Sequence, residues 1–248
     1  MKEALGIRIQ NLSKSFPKRD VIQGLNLNIE PGSFVSIVGP SGCGKSTLLR
    51  LIAGLESSTQ GELHLSSQAP ASFSFVFQEP NLLAWRTVYE NVALPFELIE
   101  NLRQVSDEKH TRIMDCLRKV KLAESASLFP HELSGGMKMR VSLARALVSS
   151  PRLLLMDEPF AALDENTRFE MQNQLHQLWQ SERMTILFVT HSLFESTYLS
   201  ERILMLKGEG AKLVLDYKVE LPSERTEDLR TSEVLNRIVR LLSERLRE

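Results

Sequence analysis

The chain is short of cysteine and of aromatic residues, and it has no long hydrophobic run. Its two cysteines, Cys43 and Cys116, lie far apart and lack metal-ligand spacing, which excludes a disulfide framework and fits a reducing compartment, the cytoplasm. No segment approaches the ~18 apolar residues of a membrane-crossing helix. Met1 to Asn11 is charged and mixed, not a basic stretch leading into an apolar one. If the protein works at a membrane, other chains are expected to cross it. Neither sign of charge dominates: 30 Lys and Arg stand against 31 Asp and Glu, a formal net charge of -1. No nucleic acid partner is therefore expected on electrostatic grounds. Internal repeats and low-complexity segments are lacking too.

What is present reads as α/β. A length of 248 residues suits one large α/β domain, or a core domain with a subdomain. Apolar residues alternate with polar ones at Ile7, Ile9 and Leu12 and again at Leu25, Leu27 and Ile29, with Pro31-Gly32 as a turn; this predicts an antiparallel N-terminal sheet. Phe34–Val38, Leu153–Met156 and Ile186–Val189 are near-continuous apolar runs, the pattern of strands buried on both faces of a mainly parallel sheet. Ser74–Phe77 predicts a further strand. Pro80, Pro95 and the charge-rich, helically spaced stretch Asp107–Lys119 then predict a separate helical subdomain, ending near Gly135-Gly136 and the helix that follows. In the tail, Leu235, Ile238, Val239, Leu242 and Leu246 share one helical face, predicting a helix packed on the domain or on a second copy.

The chemistry begins at Gly39-Pro40-Ser41-Gly42-Cys43-Gly44-Lys45-Ser46-Thr47, which satisfies G-x-x-x-x-G-K-[ST] between a predicted strand and a predicted helix. Its glycines let successive backbone N–H groups turn toward phosphate oxygens, and the helix start adds a positive dipole end. Lys45 would supply a point charge to the β- and γ-phosphates, and Ser46 would ligate Mg²⁺. The alternative is a glycine-rich turn that binds nothing. Cys43, sitting in this cradle, is expected to react with alkylating reagents and to be protected by Mg-ATP. Asp157 ends the apolar run Leu153–Met156 where ligands gather in doubly wound sheets, placed to orient Mg²⁺, and its neighbour Glu158 is the candidate general base for the attacking water. An acidic strand exit with no such role is the competing reading. His191 follows the next apolar strand and should reach the same sheet edge as Glu158, where its imidazole could meet the γ-phosphate; taken alone, a histidine there is more often a satisfied strand-end residue.

Leu133-Ser134-Gly135-Gly136-Met137 resembles the LSGGQ signature of ABC ATPases. Without the family, Ser-Gly-Gly opening a helix is an N-cap and an anion-binding terminus. The resemblance implies that Ser134, Gly135 and Gly136 bind the γ-phosphate of a nucleotide held by another protomer, so that sites form in a head-to-tail dimer. Other segments are similar in order, over roughly residues 5 to 210: Phe16 resembles the adenine-stacking aromatic, Gln78 the Q-loop glutamine with its catalytic and metal contacts, Ala161–Asp164 the D-loop, and His191 the switch histidine. Phe16 replaces the commoner tyrosine, Met137 the last signature glutamine, Met139 the glutamine often found before the arginine, and Ala161 the usual D-loop serine. A ring still stacks without its hydroxyl.

The stretch Gln78–Val88, with Leu82-Leu83-Ala84-Trp85, is similar to the nitrate, sulfonate and taurine importer branch, although Ala84 stands where a proline is usual. The resemblance implies a P-loop NTPase core with a mainly parallel sheet, an N-terminal antiparallel β-subdomain and an inserted α-helical subdomain. The ATPase domain is expected over 5–225 with the helical subdomain at about 86–150, and a C-terminal amphipathic helix over 226–248. It also implies an ATP- and Mg²⁺-dependent subunit at the cytoplasmic face of the cell membrane, powering solute import through separate permease subunits and indirectly serving a solute-binding protein. A soluble ABC ATPase of DNA repair or translation is the alternative; it would carry a long coiled-coil interruption or a second tandem domain. A non-hydrolysing regulator would have lost Lys45, Glu158 or His191, all of which are present. Trp85, in an apolar stretch after Gln78, is expected to dock on a short helix of a membrane subunit; the alternative tucks it into this chain's own core.

Overall fold

Apolar alternation at the N-terminus builds a small sheet of its own. The computed structural model describes residues 4–66, 73–100 and 106–248. In it β1 (Ile7–Phe16) pairs antiparallel with β2 (Arg19–Ile29) on one side and with β4 (Gln60–Leu65) on the other. Ile7, Ile9, Leu12, Ile22, Leu25, Leu27 and Ile29 are all buried; the period of two holds from Ile7 to Ile9 and from Leu25 to Ile29, and register shifts in the β1–β2 pairing accompany the three-residue steps to Leu12 and from Ile22 to Leu25.

The apolar runs form the second sheet. Its six strands lie in the order β5 (Phe73–Val76), β6 (Leu153–Asp157), β7 (Thr185–Val189), β3 (Phe34–Val38), β8 (Arg202–Lys207), β9 (Lys212–Lys218). All neighbours are parallel except β9, which closes the edge antiparallel to β8. Alternate residues of the central strands enter opposite cores. Val35, Ile37, Leu155, Leu187 and Val189 pack with the N-terminal sheet and α1 (Lys45–Ile52). Phe34, Leu154, Met156, Ile186 and Phe188 pack with α2 (Val88–Glu100), α3 (Asp107–Lys119), α4 (Gly135–Leu147) and α5 (Glu165–Glu182). Burial on both faces is why these strands carry no polar alternation. Strands β4, β8 and β9 complete the sheets without having been singled out from sequence; β4, at an edge, exposes most of its residues.

Pro95 lies inside α2, and one helix starts later than the sequence reading has it. In the tail, Asp228–Thr231 form a 3₁₀ turn, Ser232 caps the next helix by accepting from the Leu235 N–H at 3.3 Å, and α7 runs from Glu233 to Arg247. Ile238 and Leu242 of α7 pack on Val38, Ile203 and Met205, so its apolar face is spent on this chain. The short helix α6 (Leu193–Leu199) follows β7. Among the described residues no helix is long and apolar enough to cross a membrane.

Candidate nucleotide-binding site

The loop after β3 takes its shape from positions where only glycine fits. Gly39 has φ +154°, and a Cβ there would lie 2.1 Å from the Leu206 carbonyl oxygen of β8. Gly44, at φ 108°, is the N-cap of α1 and offers no side-chain cap. The N–H groups of the first turn, which have no partner within the helix, therefore open onto a cleft of about 250 Å³. Arg19, Ser41, Gly42, Lys45, Ser46, Thr47 and Glu158 are among the residues lining it. The Lys45 ammonium, 4% exposed, donates to the carbonyls of Gly39 at 2.8 Å and Pro40 at 2.9 Å. The loop thus folds its own cation into place above the helix start.

Across the cleft, Ser46 Oγ donates to Asp157 Oδ1 at 2.8 Å. Burial raises the Asp157 carboxyl above its ordinary range, while the serine bond acts in the opposite direction. Glu158, the next residue, has a left-handed φ of 47° and anchors its N–H on the Val189 carbonyl at 2.9 Å. Its Oε2 accepts from His191 Nδ1 at 3.1 Å. Neighbouring β6 and β7 thus deliver the carboxylate and the imidazole to one sheet edge, as their apolar runs predicted.

The remaining predicted residues are not among those lining this cleft. Phe16, 41% exposed, ends β1 with the Lys14 ammonium 4.8 Å from its ring centre. Gln78 is exposed just past β5, at the same edge as Asp157. Ser134 caps α4, accepting from the Met137 N–H at 3.3 Å, with Gly135 exposed beside it. Gly136 is buried because a Cβ there would lie 2.3 Å from Thr167 Cγ2 of α5. Cys43 needs correction: its side chain is 6% exposed and packs in the core beneath the loop. The thiol is therefore not the accessible reporter expected from sequence. Arg19 was missed. It lines the cleft and donates to the Gly42 carbonyl at 2.9 Å, and no spacing rule singles out one arginine at an exposed strand start.

Residues 22–161 match the family described as ABC transporter. The chain belongs to the ABC transporter family. It is 43% identical over 249 residues to the aliphatic sulfonates import ATP-binding protein SsuB of Pseudomonas fluorescens (strain Pf0-1), covering 96% of this chain and 88% of that one. It is 44% identical to the protein of the same name from Rhodopseudomonas palustris (strain ATCC BAA-98 / CGA009), covering 90% of this chain and 77% of that one. Among solved structures it resembles the dimeric post-hydrolysis state of the ATP-binding cassette MJ0796 bound to ADP and Pi, with a TM-score of 0.75, 33% identity, and coverage of 87% of this chain and 100% of that one. The protein is an ATP-binding, ATP-hydrolysing subunit of that family, and its α/β sheet is a P-loop NTPase fold.

Proposed function

We propose that the chain is the motor of an importer for small anionic solutes of the aliphatic sulfonate kind, working at the cytoplasmic face of the cell membrane. The observation that carries the catalytic part is the pairing of Glu158 with His191 beside the phosphate loop. The triphosphate lies along the first-turn N–H groups of α1 with Lys45 against its β- and γ-phosphates. Ser46 and Asp157 are hard oxygen donors held together, and among the described residues no cluster of His, Cys, Asp and Glu forms a complete metal cage. That set fits Mg²⁺, which takes one or two protein ligands plus phosphate oxygens and supplies charge neutralisation when bound; Gln78 stands at the same edge to join it. Glu158 accepts a proton from water as the water oxygen attacks the γ-phosphorus, and ADP departs as the leaving group with phosphate as the second product. His191 holds the Glu158 carboxylate toward the cleft. Phe16, with one face backed by Lys14, offers its other face to the adenine. Pro40, Ser41, Gly42 and Cys43 contribute loop backbone.

Ser134, Gly135 and Gly136 face a nucleotide on a second copy in a head-to-tail dimer; the related MJ0796 cassette bound to ADP and Pi is itself dimeric. The solute passes through separate permease subunits, delivered by a binding protein, and nucleic acid has no part. Trp85, 74% exposed, is the contact for a permease helix. Glu158→Gln should retain ATP binding while turnover falls on the order of a thousandfold; near-normal hydrolysis by this variant makes another residue the base. With permease and binding protein in vesicles, sulfonate-stimulated ATPase that is absent with neutral alcohols of equal length supports the solute class, and stimulation by the alcohols refutes it.

A further inference from the structure

Glu158 and His191 leave different strands, and something must set the gap between their loops. The backbone of Glu158 occupies a region that costs a non-glycine residue energy and persists only where its surroundings over-determine it. Arg168, in the first turn of α5, supplies one constraint. Its Nη2 donates to the Leu163 carbonyl at 2.6 Å and its Nε to the Phe160 carbonyl at 3.2 Å, so one guanidinium holds the turn that follows Glu158.

Glu195 supplies the other. It is 6% exposed, and its Oε2 accepts from Thr190 Oγ1 at 2.6 Å. The same hydroxyl accepts from the Ser192 N–H at 3.0 Å, and Ser192 Oγ accepts from the Glu195 N–H at 3.2 Å. Both residues flanking His191 are thereby fixed, while its imidazole stays exposed. The two braces meet: Arg168 Nε lies 3.7 Å from Glu195 Oε1, and Gln172, four residues further along α5, also bonds this carboxylate. A cavity of about 50 Å³, room for a water molecule or two, separates this meeting point from Glu158 and His191.

We propose that Arg168 and Glu195 are positioning residues, joining the turn after Glu158 to the loop that carries His191 and so setting the 3.1 Å contact between the base and the histidine. This rests on the reading of Glu158 and His191 given above. The competing role is charge compensation alone, because a buried carboxylate needs a cation nearby. Arg168→Lys separates the two. Lysine keeps the positive charge beside Glu195 but has no fork to hold the carbonyls of both Phe160 and Leu163. Steady-state ATPase of the full chain should show kcat falling ten- to a hundredfold, the cost of a small misplacement, with the KM for ATP and the melting temperature nearly unchanged. Glu195→Gln keeps an acceptor for Thr190 and should lose kcat similarly. The double variant should be no worse than either single one, since both break one linkage. Wild-type kcat in Arg168→Lys, or simple multiplication of the two losses, overturns the proposal. Glu158→Gln run in parallel keeps the two readings apart: if it still turns over, the site reading fails, whereas its loss beside unimpaired Arg168→Lys sinks only the linkage.

Discussion

The phosphate loop, residues 39–47, and the loop 78–87 leave the same edge of the six-stranded sheet, after β3 and β5, yet they are built by opposite means. The phosphate loop shapes itself. Gly39, Gly42 and Gly44 all take positive φ, and Lys45 bonds the loop's own carbonyls. The second loop contains no glycine and is braced from outside. Asn91 of α2, fully buried, accepts from the Leu83 N–H at 2.8 Å and points its amide at the carbonyls of Leu83, Arg86 and Thr87 at 3.1, 3.0 and 2.9 Å. Arg145 of α4 donates to the carbonyls of Pro80 at 2.7 Å and Asn81 at 2.8 Å. One loop turns its backbone toward a ligand; the other holds its backbone still and leaves Trp85 outside. A site made of backbone demands particular residues in a short window, whereas a surface braced by side chains places its demands elsewhere in the chain.

The contrast breaks most severely at Gly39. Gly39→Ala brings a methyl against a backbone carbonyl that no rotamer change relieves, so ATP affinity should fall on the order of a hundredfold, close to 3 kcal/mol. Titration with a fluorescent nucleotide checks this, and unchanged affinity would show that backbone shape is not what the loop contributes. Asn91→Ala should act on the other loop alone. It strands several polar groups and should cost about 2 kcal/mol in urea unfolding, while nucleotide affinity stays within twofold. A large loss of affinity there would mean that the two loops are not independent.

Cys43 sharpens the comparison further, because this self-shaped loop turns that one side chain into the core while Ser41 stays exposed. Alkylation in the folded protein should be slow with or without Mg-ATP, and rapid labelling relieved by ATP would put the thiol on the cleft side. The smallest effect belongs to Trp85→Ala. Exposed as it is, Trp85 should change stability by no more than about 0.5 kcal/mol, against the 3–5 kcal/mol of a buried large-to-small change. Assembly with a membrane partner should weaken in the same variant. A stability loss of core size would return Trp85 to the interior.

Most of the site could be read before any fold was known. The glycines, Lys45 and Ser46 sit in one short window, and Asp157, Glu158 and His191 each end or follow an apolar run, so strand adjacency alone brings them to one edge. Other residues gave no such sign. Arg168, Thr190 and Glu195 meet only because α5 and α6 pack beside β7, and neither their types nor their spacing marks them. The same holds for Arg145, which lies 64 positions from Asn81 yet holds its carbonyl.

The sequence by itself determined the elements whose cause is local: the period of two in β1 and β2, the uninterrupted apolar strands of the central sheet, the capped starts of α3 and α4, and the phosphate loop. Tertiary structure decided what depends on partners distant along the chain. It turned the Cys43 thiol into the core, carried α2 through Pro95 and delayed α7 to Glu233. It also left Trp85 in solvent and brought Arg168 to Glu195. The physical reason is common to all of these. Backbone conformation and apolar period are short-range properties of neighbouring residues, but burial and side-chain pairing are fixed only when whole elements pack, and then by groups that the local sequence does not contain.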